Sequence, residues 1–282
     1  MSHTIFTATG CARCKIAKRF MDERGIAYQE LDIKTDGKDA FALFYRANRS
    51  AIIRSEEGVE FPVFTDGTSV RQGVGVVVAY LHAGTALEGF IGRSKLSKGW
   101  MDGIHVSGGD PSMVDDLVAV LGFLKKNGLK LQLDTYGKNA SVLEKLLDER
   151  AGDRLIMEVK GPLSLYALIL GEEIDAGKVK KSIELTAGFP EYRFETVVAP
   201  FIRQRGEVPE ISYLTPEEIG ETARLIGEVR GGRKEPYLLK AFDPASCTDK
   251  RFKSVEKLPP AAMFKYRTAA RQHQVLTEIE KV

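Results

Sequence analysis

The sequence has few cysteines, almost no net charge and no long apolar run. Three cysteines in 282 residues do not make a disulfide framework, which favours a reducing, cytoplasmic location. A formal net charge of +2 provides no electrostatic argument for nucleic acid or an acidic membrane surface as a partner. The longest mainly apolar run, residues 74–81, is too short to span a bilayer, and no secretory signal is visible. We therefore expect a globular protein without a membrane or nucleic-acid partner.

Two of the three cysteines, Cys11 and Cys14, stand between a strand-like run and a helix-like run. The N-terminus of a helix carries partial positive charge and free N–H groups, which stabilise a thiolate on Cys11 and lower its pKa. Cys14 lies one turn further along, where it can attack a mixed disulfide. Half of a zinc or iron site is the alternative, but a second Cys/His pair at motif spacing is missing. The pattern favours thiol chemistry, with Cys11 as nucleophile and Cys14 as resolving cysteine.

The first 88 residues alternate strand and helix in an order typical of a small α/β domain. Strands are predicted over 3–8, 28–33, 62–65 and 69–71, and helices over 11–24, 39–52 and 76–82. The two strands on either side of Asp66-Gly67 form a predicted hairpin, because Asp-Gly is a strong turn signal.

Residues 1–88 resemble glutaredoxin in three motifs. They carry Cys11-Ala12-Arg13-Cys14 after the first strand, Phe61-Pro62-Val63 where the family has its cis-proline, and Gly73-Val74-Gly75 before the last helix. The resemblance implies a thioredoxin-like fold and a thiol–disulfide oxidoreductase in which Cys11 and Cys14 react. It also implies that Arg13, Pro62 and Gly73 contact the substrate.

The partner implied by that resemblance is glutathione or a protein dithiol. The acidic residues that follow the family's glycines are missing here, so a protein dithiol or thioredoxin reductase could take the place of glutathione. No cofactor is required for this thiol chemistry. The alternative is a thioredoxin-like domain that serves only as a docking module.

After a connector over residues 89–100, a second module over 101–245 alternates strands and helices. Strands are predicted over 102–107, 130–135, 154–160, 192–198 and 236–242, and helices over 113–127, 141–149, 177–185 and 215–229. About five β/α repeats of this kind predict a partial TIM-type barrel, with its sites at the C-terminal strand ends. The tail over 246–282 is predicted to hold one helix, with apolar positions as far as Ile279 and Cys247 in a loop.

Polar residues follow the predicted strands. The first strand is followed by Gly108-Gly109-Asp110-Pro111, the second ends in Asp134-Thr135-Tyr136-Gly137, and the third in Glu158-Val159-Lys160. Each of these alone could be a tight turn, a solvated strand end or an ion pair. Together they resemble the radical S-adenosylmethionine superfamily, specifically the activating enzymes of glycyl radical enzymes such as pyruvate formate-lyase.

This second resemblance implies a set of cofactor-binding residues. Gly108, Gly109 and Asp110 would hold the amino group of S-adenosylmethionine, and Asp134, Thr135 and Glu158 would lie beside a monovalent cation, with Lys160 in the same motif. Enzymes of this type also carry Cys-x-x-x-Cys-x-x-Cys, which binds a [4Fe–4S] cluster. No cysteine lies between Cys14 and Cys247. We therefore expect no metal site, no [4Fe–4S] cluster and no radical chemistry from this chain alone.

The favoured hypothesis is a glutaredoxin-like oxidoreductase fused to a degenerate activase-like domain. That domain would recognise a ligand or a partner, such as a glycyl radical enzyme or its activase. One alternative is a non-enzymatic, S-adenosylmethionine-binding regulator of a glycyl radical enzyme system. The other is a radical enzyme whose iron–sulfur cluster is supplied by a partner.

Overall fold

The computed structural model describes residues 3–56, 58–93, 96–97, 100–205 and 208–281. It divides into two compact units, Met1–Gln132 and Leu133–Val282. Residues 94, 95, 98 and 99 of the predicted connector lie outside the described residues. The domain boundaries expected from the sequence stay a prediction. Within the described ranges, no helix is both long and apolar enough to cross a membrane.

The first unit begins with a four-stranded mixed sheet in the order β2-β1-β5-β6. Strand β1 is parallel to β2 and antiparallel to β5, which forms a hairpin with β6. The elements of this unit are β1 (His3–Thr7), α1 (Ala12–Glu23), β2 (Tyr28–Asp32), α2 (Lys38–Ala47), β3 (Arg54–Ser55), β4 (Gly58–Val59), β5 (Val63–Thr65), β6 (Val70–Gln72), α3 (Val74–Ala83), β7 (Leu96–Ser97), β8 (Trp100–His105), α4 (Val114–Lys126) and β9 (Lys130–Thr135), the last of which continues into the second unit.

Helix α2 is shorter than the sequence pattern predicts. The pattern extends to residue 52, whereas the helix ends at Ala47. The side-chain amide and the backbone N–H of Asn48 both donate to the carbonyl oxygen of Phe44, at 2.9 and 3.0 Å. An Asn side chain that bonds to nearby backbone competes with continuation of the helix, and here it ends the helix.

Helix α3 is apolar around its whole circumference because it packs against both α1 and α4. At Gly75 the close neighbour is Met101 of β8: a Cβ atom there would lie 2.6 Å from the Met101 side chain. On the neighbouring helix α1, Phe20 stacks edge-to-face on Phe123 of α4, with ring centroids 4.9 Å apart. The first β/α repeat is thus packed onto the N-terminal fold within one unit.

The second unit contains four parallel strands in the order β10-β11-β14-β15. Its apolar core lies between these strands and α7 and α8, and includes Phe194, Val198 and Tyr237. The elements are α5 (Ala140–Asp148), β10 (Arg154–Glu158), α6 (Tyr166–Leu170), α7 (Ala176–Thr186), β11 (Glu191–Val198), β12 (Pro200–Arg205), β13 (Val208–Tyr213), α8 (Pro216–Arg230), β14 (Tyr237–Ala241), α9 (Met263–Arg271) and β15 (Thr277–Ile279). The predicted fold class is confirmed: a thioredoxin-like fold is followed by β/α repeats.

The C-terminal helix ends earlier than the sequence pattern suggests, and the prediction for its end is wrong. Helix α9 stops at Arg271, and residues 277–279 form β15, the next strand after β14, with which it pairs. The buried side chain of Gln274 makes the turn between them. Its carbonyl oxygen accepts from the backbone N–H of Glu235 at 3.0 Å, and its amide donates to the carbonyl oxygen of Gly232 at 2.9 Å. This anchor outweighs the helical spacing of the apolar residues that follow.

Candidate functional site

The two cysteines of the N-terminal motif meet at the start of α1. Their sulfur atoms form a disulfide with an S–S distance of 2.21 Å and a Cα–Cα distance of 5.3 Å. Cys11 caps the helix: its sulfur accepts a hydrogen bond from the backbone N–H of Cys14 at 3.1 Å. Cys14 is buried, whereas Cys11 is partly exposed. The cysteine that can meet a substrate is therefore Cys11.

The loop before β5 lies against this disulfide. The peptide bond between Phe61 and Pro62 is cis, and the carbonyl oxygen of Phe61 is 4.0 Å from the sulfur of Cys11. The carbonyl oxygen of Pro62 accepts from the backbone N–H of Gly73 at 2.9 Å. Gly73 itself has a φ of +89°, a conformation that glycine adopts readily. Pro62 and Gly73 are thus linked to Cys11 through the loop: Phe61 contacts the Cys11 sulfur, and Pro62 is hydrogen-bonded to Gly73.

A carboxylate that the motifs did not identify stands at the same place. Glu60 precedes Phe61, and its Oε1 is 2.9 Å from Nη1 of Arg13, the residue directly before Cys14. Burial raises the pKa of Glu60; Arg13 opposes this shift, and the carboxylate of Asp102 adds to it. The position of Glu60 directly before the Phe-Pro pair was the one sequence signal that could have indicated it.

The glycine pair after β8 is packed against the chain itself. A Cβ atom at Gly108 would lie 2.4 Å from the carbonyl oxygen of Gly89, and one at Gly109 would lie 2.2 Å from the ring of Phe90. These distances are too short for any side chain. The face that a side chain would occupy at either glycine is therefore filled by protein and is no open cradle for a cofactor.

Asp110, the third residue of this motif, caps a short 3-10 turn. Its carboxylate accepts from the backbone N–H of Ser112 at 2.9 Å, and this hydrogen bond is the main cause that lowers the pKa of Asp110. An aspartate before a proline commonly starts a turn in this way.

The remaining predicted cofactor residues lie in the second unit. Asp134 is half-buried and Thr135 is buried at the end of β9, where the Thr135 hydroxyl accepts from the backbone N–H of Gly137 at 3.1 Å. Glu158 and Lys160 form an ion pair with an N–O distance of 2.7 Å. The backbone N–H of Lys160 also donates to the hydroxyl of Tyr166, whose pKa is raised by burial. Thr135, Glu158 and Lys160 are thus held by contacts with nearby residues of the second unit.

A second charged group on the parallel strands was missed by motif reasoning. Glu195 on β11 is 4% exposed, and its carboxylate pairs with Arg193 and with Lys240 of β14, whose Nζ is 2.6 Å away. The signal was present in the alternation of β11, where Phe194 and Thr196 face one side of the sheet and these charges face the other.

An open groove of about 870 Å³ runs beside α9 in the second unit. Its apolar part includes Met263 and Ile279, together with Phe264, which is 54% exposed. Arg267 and Arg271 line the same groove. The lining includes none of the residues that the strand-end motifs identified.

The residues present do not fit an iron–sulfur cluster. Such a cluster needs thiolate ligands, whereas Cys11 and Cys14 are joined to each other and Cys247 is far from them in sequence. Among the residues that the structure describes, no group of three or more His, Cys, Asp or Glu side chains could hold a metal ion. The expectation that this chain holds no cluster rests on its sequence and stays a prediction.

Comparisons with known proteins agree with both resemblances. Residues 4–52 match the family model of glutaredoxin. A curated relative, a putative glycyl-radical enzyme activating enzyme from Methanocaldococcus jannaschii, is 27% identical over 165 residues. The match covers 56% of this chain and 60% of the length of that relative.

Two solved structures also match, at low identity. A domain of pyruvate-formate lyase-activating enzyme from Bacteroides vulgatus is 13% identical, with a TM-score of 0.43, over 63% of this chain and 98% of that one. Coproporphyrinogen III oxidase from Escherichia coli, described as a radical SAM enzyme, is 17% identical, with a TM-score of 0.40, over 61% of this chain and 40% of that one. The resemblance read from the motifs is confirmed: residues 4–52 match the glutaredoxin family model, and the chain is similar over 165 residues to a putative glycyl-radical enzyme activating enzyme.

Proposed function

We propose that this protein is a thiol–disulfide oxidoreductase of the glutaredoxin type. The observation that carries the proposal is the disulfide between Cys11 and Cys14 at the start of α1, beside the cis peptide bond at Pro62. The more exposed sulfur caps the helix and the buried one lies a turn further in. This is the order that a nucleophile and a resolving thiol require.

Local charge favours a thiolate on Cys11 in the reduced protein. The first turn of α1 holds no acidic residue, while Arg13 and Lys15 supply positive charge beside it. The backbone N–H of Cys14 points at the sulfur of Cys11, and a thiolate is a stronger acceptor for it than a thiol. These contacts all stabilise the reactive form.

The reaction moves two electrons from the dithiol to a substrate disulfide. The Cys11 thiolate attacks one substrate sulfur, a mixed disulfide forms, and the other substrate sulfur leaves and takes a proton. Cys14 loses its proton and attacks the Cys11 sulfur, which releases the second substrate thiol and forms the Cys11–Cys14 disulfide. An external dithiol, or two molecules of glutathione, then reduces that disulfide and becomes oxidised.

The test is reduction of a small disulfide such as 2-hydroxyethyl disulfide, driven by glutathione in one arm and by a dithiol in the other. We expect the wild type to be active and Cys11→Ser to fall to background. Cys14→Ser should lose the dithiol reaction and accumulate a mixed disulfide that mass spectrometry detects. Cys247→Ser is the matched control and should keep wild-type activity. An inactive wild type, or activity that survives Cys11→Ser, would refute the proposal.

The second unit would serve in recognition of a partner. The similarity to an activating enzyme supports a glycyl radical enzyme or its activase as that partner. When purified, reduced Cys14→Ser protein is mixed with the disulfide-oxidised form of such an enzyme, we expect Cys11 to attack that disulfide and form a mixed disulfide with one of its cysteines, while the other leaves as a thiol. Reaction with small disulfides but with neither enzyme would remove this part of the proposal and leave the oxidoreductase standing.

A further inference from the structure

We infer that Glu60 is a positioning residue of the dithiol site, which holds the Arg13 guanidinium and so limits the positive charge that acts on Cys11. The inference rests on the proposed thiol function and concerns its regulation. Glu60 binds no cysteine itself in this structure. It acts through the one cationic side chain that stands between the two cysteines.

Arg13 and Glu60 are each the chain neighbour of a residue that contacts the Cys11 sulfur: Cys14 follows Arg13, and Phe61 follows Glu60. Arg13 lies in the first turn of α1, between Cys11 and Cys14, and its Nη1 is 2.9 Å from Oε1 of Glu60. The residue after Glu60 is Phe61, whose carbonyl oxygen is 4.0 Å from the Cys11 sulfur. The ion pair therefore spans from the helix to the loop that lies against the disulfide.

The backbone at Glu60 is held in place, which makes the pair a defined structure. The carbonyl oxygen of Glu60 accepts from the side-chain amide of Gln72 at 3.2 Å, and the same amide reaches the carbonyl oxygen of Ile53 at 2.9 Å. The side chains of Arg13 and Glu60 are 36% and 26% exposed, so water screens the pair only in part.

The sign of the effect follows from charge. A disulfide is neutral, whereas reduction at neutral pH creates a thiolate on Cys11 that Arg13 can stabilise. While Glu60 is ionised, it shares Arg13 with that thiolate, so the Cys11 pKa stays higher. When Glu60 is neutral, Arg13 stabilises the thiolate more strongly. The Cys11 pKa then falls and the reduced form becomes more stable.

The arrangement should respond to pH. Arg13 from α1 and Asp102 from β8 are the charged groups that act on Glu60; Arg13 favours its ionised form and Asp102 disfavours it. Because burial raises the pKa of Glu60 despite Arg13, the carboxyl takes up a proton at a higher pH than an ordinary glutamate does. Acidification therefore weakens the ion pair between Glu60 and Arg13, and the charge of Arg13 then acts more strongly on the Cys11 thiolate.

The test compares the Cys11 pKa of the wild type and Glu60→Gln, taken from the pH dependence of the alkylation rate in the full-length reduced protein. We expect the pKa of Cys11 to fall by about one unit in Glu60→Gln. Its equilibrium constant for reduction by a reference dithiol should rise up to about tenfold, which corresponds to about 30 mV. The alkylation rates of Cys11 in the wild type and in Glu60→Gln should become equal as the pH falls through the pKa of Glu60, because the wild-type carboxyl is then neutral as well. The control is Glu30→Gln, which breaks the 2.7 Å pair with Lys18 on the same helix and should change neither value.

The Arg13→Gln variant separates a positioning role from a merely structural one. Arg13→Gln should raise the Cys11 pKa, and adding Glu60→Gln to it should shift that pKa by less than half as much as in the wild type. An equal shift in both backgrounds would mean that Glu60 acts directly and would overturn the inference. So would a Glu60→Gln protein with an unchanged Cys11 pKa and an unchanged thermal midpoint. The alkylation readout needs no turnover, so a failure of the proposed activity is seen separately.

Discussion

The motif residues of the N-terminal fold and those of the strand ends have different surroundings. At the N-terminus, Cys11 keeps a partly exposed sulfur beside the cis peptide bond at Pro62. At the end of β8, the side-chain face of Gly109 is filled by the ring of Phe90. In the second unit, Glu158 and Lys160 pair with each other. The first group presents a partly exposed sulfur, and the second is held by the protein's own contacts.

The difference teaches that a matched motif identifies residues without assigning their use. Glycine pairs are selected by any close approach of two backbones, whether the neighbour is a ligand or the same chain. A cysteine pair that closes a disulfide over one helical turn has few structural uses of that kind, because a three-residue separation closes a loop too short to restrict the unfolded chain much. Three measurements would break or sharpen this comparison.

The largest effect is expected at the charged pair of the second unit. Lys240→Met removes one of two cations that face the buried carboxylate of Glu195. A buried charge that loses a partner typically costs about 3 kcal/mol of unfolding free energy, which urea denaturation would measure. Lys181→Met is the control, because its ion pairs with Glu144 and Glu184 are exposed and should change stability by less than about 0.5 kcal/mol. Equal, small losses in both variants would show that the pairing of Lys240 with Glu195 does not stabilise the fold.

A somewhat smaller effect is expected at the glycine pair. Gly109→Ala would place its Cβ against the Phe90 ring, and overpacking of this kind costs about 2 kcal/mol. The matched control is Gly122→Ala in α4, where no atom lies within 4 Å of the new Cβ and helix propensity predicts a gain of up to about 1 kcal/mol. Thermal unfolding without any ligand measures both. An unchanged midpoint for Gly109→Ala would mean that the face at Gly109 can open, which would favour a cofactor there.

The smallest effect is expected at the hairpin of the N-terminal fold. The hydrogen bond from the Tyr80 hydroxyl, with those from Ser69 and Thr68, holds the pKa of Asp66 well below its usual range. A lowered pKa in the folded state contributes stability above the unfolded pKa of about 4, and that contribution is lost as pH falls toward the folded value. Because Asp66 is only partly buried, we expect Asp66→Asn to cost about 1 kcal/mol at pH 7.

Acid titration of stability checks this prediction. The difference in unfolding free energy between the wild type and Asp66→Asn should shrink as pH is lowered below about 4. Asp36→Asn, at an exposed carboxylate whose contact is the hydroxyl of its neighbour Thr35, should follow the wild-type curve. A difference that stays constant down to pH 2 would show that the charge of Asp66 is not what stabilises the hairpin.

Much of the secondary structure could be predicted from local patterns. Strand β9 has the predicted bounds, and α8 starts within one residue of the predicted position, behind a capping box between Thr215 and Glu218. The hairpin of β12 and β13 was not predicted, although its paired residues are only 3 to 13 positions apart and Phe201 is buried in the core. A proline within a short run, here Pro209, argues against a strand in the sequence. Strand β15 was not predicted because it exists only through pairing with β14, whose residues lie 40 positions earlier in the chain.

The candidate site divides in the same way. The local sequence was enough to bring Cys11 and Cys14 together, because two cysteines three residues apart at the start of a helix meet within one helical turn. Only the tertiary structure decided that Glu60 holds Arg13 and that Phe90 fills the face of Gly109. Those contacts join residues that are 47 and 19 positions apart in the sequence. They form because the loop before β5 packs on α1 and the connector packs on the turn after β8. Local spacing carries no information about such meetings.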